Sequence, residues 1–227
     1  MTTLILVRHG LTAVTGRVLA GRLPGHPLDE RGRAQAAAVA ERLRAVPLAA
    51  IVSSPVERCA STAEAIAAGR GPDGGPGPVT FDDRLAEVDY GEWAGRELRD
   101  LAKEPLWRVV RATPSAVTFP GGETLRAMAA RAVEAVRAGN EAAGPDATWL
   151  ACTHGDLVKA ILADALGLPL DAFGRIAVET CSLSVIRYGR DGSALVSRVN
   201  DTGAALDDLR PASHRRGRGH RRARARD

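Results

Sequence analysis

The chain lacks the features that mark several functional classes. Its three cysteines, Cys59, Cys152 and Cys181, are odd in number and far apart, and no C-x-x-C pair occurs. That argues against a disulfide framework and a cysteine-based zinc clip, and suits small core thiols in a reducing compartment. No apolar run approaches the length of a membrane span. The opening Met1-Thr2-Thr3 brings no basic segment and no small-residue cleavage site, so a cytoplasmic protein with no membrane partner is expected.

What is present is the composition of a globular protein. Of 227 residues, 45% are hydrophobic and 26% charged, enough to bury a real core, and one domain is the working reading. A net charge of +4 suggests a nucleic-acid binder until its placement is seen. Residues 210–227 hold eight arginines against Asp227 alone, so this end carries +7 and the body before it is net acidic. The basicity belongs to an appendage. We read 1–209 as the domain and 210–227 as a tail with too few large apolar side chains to order itself. Three roles stay open for the tail: inert disorder, an electrostatic arm for nucleic acid or acidic membranes, or an extension folding over the acidic body.

Strand-like runs at 3–8, 49–53, 147–153, 178–187 and 194–199 alternate with helical patterns, which predicts an α/β layered architecture. Asp29 to Val46 reads as a helix capped by Asp29, with Ala36, Val39, Ala40 and Leu43 on one face. Ser54, Pro55 and Glu57 read as a capping box opening the next helix. Gly69 to Pro78 reads as a loop. Residues 85–120 read as an inserted set of short helices and loops, a candidate lid, and Glu123 to Arg137 as an amphipathic helix.

The chemistry gathers at strand ends. Leu6-Val7-Arg8-His9-Gly10 puts a cation, an imidazole and a glycine at the carboxyl edge of a buried strand, where open α/β sheets bind ligands. Trp149 to Thr153 ends likewise in His154-Gly155, and a helix begins at once, its N–H groups favouring an anion. Arg58, after Ile51 to Ser54, reaches the same edge from a third strand if the strands are parallel neighbours. Two guanidinium forks and two imidazoles suit a phosphoryl dianion. Departure of an alkoxide from phosphorus needs a proton donor, and Glu87 is the leading candidate.

With these residues in view, the sequence resembles the histidine phosphatase superfamily, also called phosphoglycerate mutase-like, over about residues 3–200. Arg8-His9-Gly10 matches its R-H-G. Ser54 to Arg58 to Thr62-Ala63 matches S-x-x-x-R-x-x-x-T-A, Leu85-Ala86-Glu87 through Gly91 and Trp93 matches L-x-E-x-x-x-G-x-W, and His154-Gly155 is the second H-G. The resemblance implies a three-layer sandwich, a mostly parallel sheet with helices on both faces. It also implies His9 as nucleophile, with Arg8, Arg58 and His154 holding the phosphoryl group and Glu87 acting as acid and then base. Gly10 and Gly21 would let the backbone approach the phosphate, and Thr12 and Gly155 would lie against it. Thr15, also expected against the substrate, stands where many relatives carry Asn.

The acidic motif resembles the phosphatase branch, so hydrolysis of a small phosphorylated metabolite is expected, without metal or cofactor. A phosphomutase and a non-catalytic phosphoryl-ligand or nucleic-acid binding module are the alternatives. A homodimer is open, being common in relatives. Trp93 and Tyr90 read as packing residues rather than as a pocket floor.

Overall fold

In a computed structural model, residues 1–70 and 77–203 are described. Most of the Gly/Pro stretch and the whole arginine-rich end, with the expectations attached to them, lie outside the described residues. The order is β1 (Thr2–Arg8), α1 (Glu30–Leu43), β2 (Ala50–Ser53), α2 (Glu57–Ala68) and β3 (Thr80–Phe81), then an excursion holding α3 (Leu98–Leu101) and α4 (Pro105–Ala112). There follow α5 (Leu125–Ala143), β4 (Thr148–Thr153), α6 (Gly155–Ala165), β5 (Leu183–Tyr188) and β6 (Ala194–Asp201).

These strands form one six-stranded sheet in the order β3-β2-β4-β1-β5-β6. β3, β2, β4 and β1 run parallel, whereas β5 runs antiparallel to β1, and β6, antiparallel to β5, returns to the common direction. Successive side chains of a strand point to opposite faces, and β1 shows the result. Leu4 and Leu6 join one core with α5 and α6, while Ile5 and Val7 join a second core with α1 and α2. The sheet is thus buried on both sides, the three-layer sandwich expected.

The register aligns the chemistry. Arg8 pairs with Thr153 and Ser53 pairs with Cys152, so His9, His154 and Ser54 each leave the sheet at the same edge. α1 starts as expected, the Asp29 side chain accepting from Gly32 N at 2.7 Å. α2 does not. Its N-cap position is Val56, without a side-chain cap, and Ser54 Oγ lies 2.8 Å from His154 Nε2 and accepts from Val56 N at 3.2 Å. The capping box fails because a buried imidazole takes the hydroxyl, a stronger demand than a helix end that water can reach.

Three further elements differ from expectation. The run 178–187 is a strand only from Leu183; before it a turn with Cys181 at φ 55° folds across the end of β1, where Cys181 N donates to Arg8 O at 2.9 Å. β3 has two residues, too few for a sequence pattern. α5 runs on to Ala143 because Gly139 lets Trp149 lie against it, with Trp149 Nε1 donating to Asn140 Oδ1 at 2.8 Å.

The loop after β1 is pinned to α1 by two glycines. A Cβ on Gly10 would sit 2.7 Å from the Gly32 carbonyl oxygen, and one on Gly32 would overlap the Leu11 carbonyl. Gly10 therefore serves the packing of α1. Gly32→Ala should cost about 2 kcal/mol through overpacking, read as a lower denaturant midpoint with unchanged slope. A midpoint equal to that of the parent would show that the contact gives way freely.

Candidate active site

The end of β1, the start of α2, the 85–90 loop and the start of α6 surround a cavity of about 360 Å³. A larger hollow of about 790 Å³ lies by Met1 and Thr2, at the far end of β1, and it holds no such cluster of imidazole and guanidinium groups.

His9 is 5% exposed and His154 fully buried. His9 Nδ1 lies 2.8 Å from the Gly10 carbonyl, which can only accept, so Nδ1 carries the proton and Nε2 is left with its lone pair. Arg58 Nε donates to that Nε2 at 3.1 Å, while Arg58 Nη2 donates to Gly21 O at 2.9 Å and reaches His154 Nδ1 at 3.0 Å. A guanidinium has only donors, so His154 Nδ1 accepts and its Nε2–H turns to Ser54 Oγ. The rings of the two histidines meet edge to face at 5.3 Å.

Burial first, and then the Arg58 charge, hold both imidazoles well below their ordinary pKa, so both are neutral near pH 7. At the cavity, Arg8 Nε and Arg58 Nη1 are two of the four buried side-chain polar atoms without a partner among the described residues, and both arginines line it. Orphaned buried donors are costly and uncommon. The arrangement has the capacity to bind an oxyanion with several acceptor oxygens, against a neutral imidazole ready to attack.

Glu87 supplies the complementary group. Its carboxylate lies 3.8 Å from Arg58 Nη2 and 3.5 Å from His154 Nδ1, and its side chain is 12% exposed. Burial and the neighbouring Asp156 carboxylate push it up to about 7 against the pull of Arg58. Near neutral pH it is therefore divided between acid and base forms, the condition general acid–base work needs.

Of the remaining expected residues, Thr12, Thr15, Gly21 and Gly155 line the cavity, whereas His154, fully buried, does not and meets it through Arg58. Thr15 Oγ1 accepts from Thr12 N at 3.0 Å and lies 3.0 Å from Thr12 Oγ1, so its hydroxyl closes the 12–15 turn. Gly21, at φ 57°, brings its backbone against Tyr90 and turns its carbonyl to Arg58. A side chain on Gly155 would press on Arg8, 3.3 Å from Nε.

Sequence reasoning passed over four contributors. Ser54 was assigned to the helix cap, and Thr62, quoted only within the motif, accepts from Gly10 N at 3.1 Å and donates to Arg58 O at 2.7 Å. Asp156 follows His154-Gly155 and in the sequence opens a helix, and Tyr90 reads as packing. Tyr90 packs edge-on against Phe119 and also lines the cavity, its hydroxyl donating to Asp156 Oδ2 at 3.2 Å. The signal for Asp156 was its place two residues after His154, in the first turn above the pocket.

The family description "histidine phosphatase superfamily (branch 1)" matches residues 4–202. The chain belongs to that superfamily. A Cronobacter sakazakii protein named "probable phosphoglycerate mutase GpmB" is 34% identical over 191 residues, covering 83% of this chain and 86% of the relative. Among solved structures, Bacillus stearothermophilus YhfR superposes with a TM-score of 0.80 at 31% identity, covering 88% of this chain and 98% of its own. A mycobacterial glucosyl-3-phosphoglycerate phosphatase does so at 0.76 with 27% identity, over 88% and 98% of the two chains. The superfamily comprises phosphatases and mutases, so the chain is an enzyme of phosphoryl chemistry.

The electrostatics can be checked without any substrate. A carboxyl ¹³C titration should place the midpoint of Glu87 at about 7. Because the Asp156 charge raises that midpoint, Asp156→Asn should lower it; an ordinary Glu87 midpoint, or no shift in the variant, would contradict this reading.

Proposed function

We propose that the chain is a phosphomonoester phosphatase working through a phosphohistidine on His9. One observation carries the reading: His9 Nδ1 is tied to the Gly10 carbonyl, so Nε2 is left to a cavity edged by Arg8 and Arg58, with His154 bonded to Arg58 and the Glu87 carboxyl, pushed up to about 7, beside it.

In the first step the phosphoryl oxygens take the Arg58 hydrogen bond from His9 Nε2. The Nε2–P bond forms as the ester O–P bond breaks, and the Glu87 proton passes to the departing oxygen. The arginines hold the charge of the transferring group, the part a metal plays in other enzymes, so activity in EDTA is expected. In the second step water attacks phosphorus, its proton goes to the Glu87 carboxylate, and the Nε2–P bond breaks to give inorganic phosphate. The Gly10 carbonyl keeps the Nδ1 proton in place throughout.

Hydrolysis is favoured over mutation by the outer cavity. A phosphoglycerate carries a carboxylate beside its phosphate and needs a second cation. Beyond Arg8 and Arg58, the charged lining residues apart from Glu87 are Asp156 and Lys159, and they pair with each other at 3.2 Å. Val14, Val18, Leu19, Leu98 and Trp107 make the wall largely apolar. The substrate we expect is a small phosphorylated metabolite whose alcohol part bears no further anion. The mutase reading draws its support from the name of the Cronobacter sakazakii relative. A non-catalytic binding module would have no use for a nucleophile and a tuned acid in one cavity.

We extend the proposal to a single catalytic domain over 1–209 with residues 210–227 as an appendage. Three free buried cysteines suit a cytoplasmic setting. Among the described residues no helix is long and apolar enough to cross a membrane.

Across a panel of alkyl phosphomonoesters the enzyme should release inorganic phosphate steadily, with kcat/KM falling as pH rises through about 7, where Glu87 loses its proton. Glu87→Gln should lower kcat/KM on these esters by about 100-fold or more. Rapid isomerisation of 3-phosphoglycerate with negligible phosphate release would replace this reading with the mutase.

A further inference from the structure

The side chain of Glu87 has little of its own to hold it. Its Oε1 accepts from Val88 N at 3.1 Å, and its other approaches, to Arg58 and His154, exceed hydrogen-bond length. The placing of the carboxyl therefore follows the backbone of residues 84–89, which pairs with no strand.

That backbone is gripped from beneath by one arginine. Arg131, on α5, donates from Nη1 to Arg84 O and Ala86 O, both at 2.7 Å, and from Nη2 to Glu87 O at 3.1 Å. Its remaining N–H groups go to Glu123, Nε to Oε2 at 3.0 Å and Nη2 to Oε1 at 2.6 Å. A guanidinium has five N–H donors, and all of them are engaged here. Glu123 is ionised: burial works against it, but Arg131 and the Asp89 N–H hold its carboxyl below the ordinary range.

Glu123 then binds the neighbourhood together. Its Oε1 also accepts from Asp89 N at 2.8 Å and from Arg22 Nη2 at 3.0 Å. Arg22 Nε donates to the Glu87 carbonyl at 2.7 Å, so that oxygen holds two guanidinium donors. The residue before Arg22 is Gly21, whose carbonyl fixes Arg58. One two-residue segment thus ties the phosphoryl-binding cation to the backbone of the acid.

We propose that Arg131, Glu123 and Arg22 form a positioning assembly that sets the Glu87 carboxyl against the leaving oxygen in the cage. The proposal rests on the phosphatase reading. None of the three lines the cavity, so they act through Glu87 and not on substrate. Loosening the grip should impair proton delivery while leaving the cage to bind phosphate.

Leaving-group chemistry separates this role from a merely structural one. An alkyl phosphate needs the Glu87 proton as its O–P bond breaks, whereas p-nitrophenyl phosphate loses a stable phenolate without one. The quantity to measure is the ratio of kcat/KM for an alkyl phosphate to that for p-nitrophenyl phosphate. In Arg131→Lys, which keeps the charge but not the fork, the ratio should fall about tenfold, as misplacement of a catalytic group implies. Arg22 is 41% exposed, so Arg22→Ala should fold normally and lower the ratio less but in the same direction. Glu87→Gln serves as the reference, with the largest fall. If Glu87→Gln lowers the ratio while Arg22→Ala and folded Arg131→Lys leave it at the parent value, or lower both substrates equally, the positioning role is wrong and the phosphatase reading stands. If Glu87→Gln itself leaves the ratio unchanged, the assigned acid is wrong and the positioning role falls with it.

Discussion

A permanent cation, buried between two imidazoles, is the constraint on which the rest of the site depends. Arg58 is 3% exposed, and its donors engage His9 Nε2, His154 Nδ1 and the Gly21 carbonyl. A guanidinium cannot shed its proton at any physiological pH, so both rings must face it as acceptors and stay neutral. Their outer nitrogens are then committed to Gly10 O and Ser54 Oγ. The same charge pulls Glu87 toward ionisation, and burial together with Asp156 outweighs it. Neutral nucleophile, charged cage and a carboxyl poised between its acid and base forms coexist because of this balance.

The fold supplies the balance through register. Because β2, β4 and β1 are parallel neighbours ending level, Ser54, His154 and His9 emerge side by side, and α2 brings Arg58 up one turn later. The pairing of Gly10 with Gly32 presses the loop after β1 onto α1, and Thr62 bridges Gly10 to the Arg58 carbonyl. Gly10 and Thr62, 52 positions apart, thus share one rigid corner.

Much of this corner was legible in the sequence because each piece carries a local pattern. Apolar runs ending in His-Gly announce a strand giving way to a turn, and the alternation of strands and helices is enough for the layered architecture. His9, Arg8, Arg58, Glu87 and His154 stood out by residue type and order, and the structure brings them together. What was not legible depended on tertiary pairing. Ser54 reads locally as a cap, and only the arrival of His154 beside it redirects the hydroxyl. Arg131 reads as one more charge on an amphipathic helix, since its partners are main-chain carbonyls 44 to 47 residues away. The turn before β5 is set by hydrogen bonds from Cys181 N to the end of β1, which no periodicity reports.

The central claim is that His9 Nε2 receives the phosphoryl group. It is tested most directly by quenching turnover within milliseconds in alkali, where a phosphoryl–histidine bond survives, and mapping the label from ³²P-substrate by mass spectrometry. The account predicts one labelled residue, His9, substituted at Nε2 and losing its label at the rate of turnover. Label on any other side chain, or a burst of released alcohol with no covalent phosphate on the protein, would contradict it.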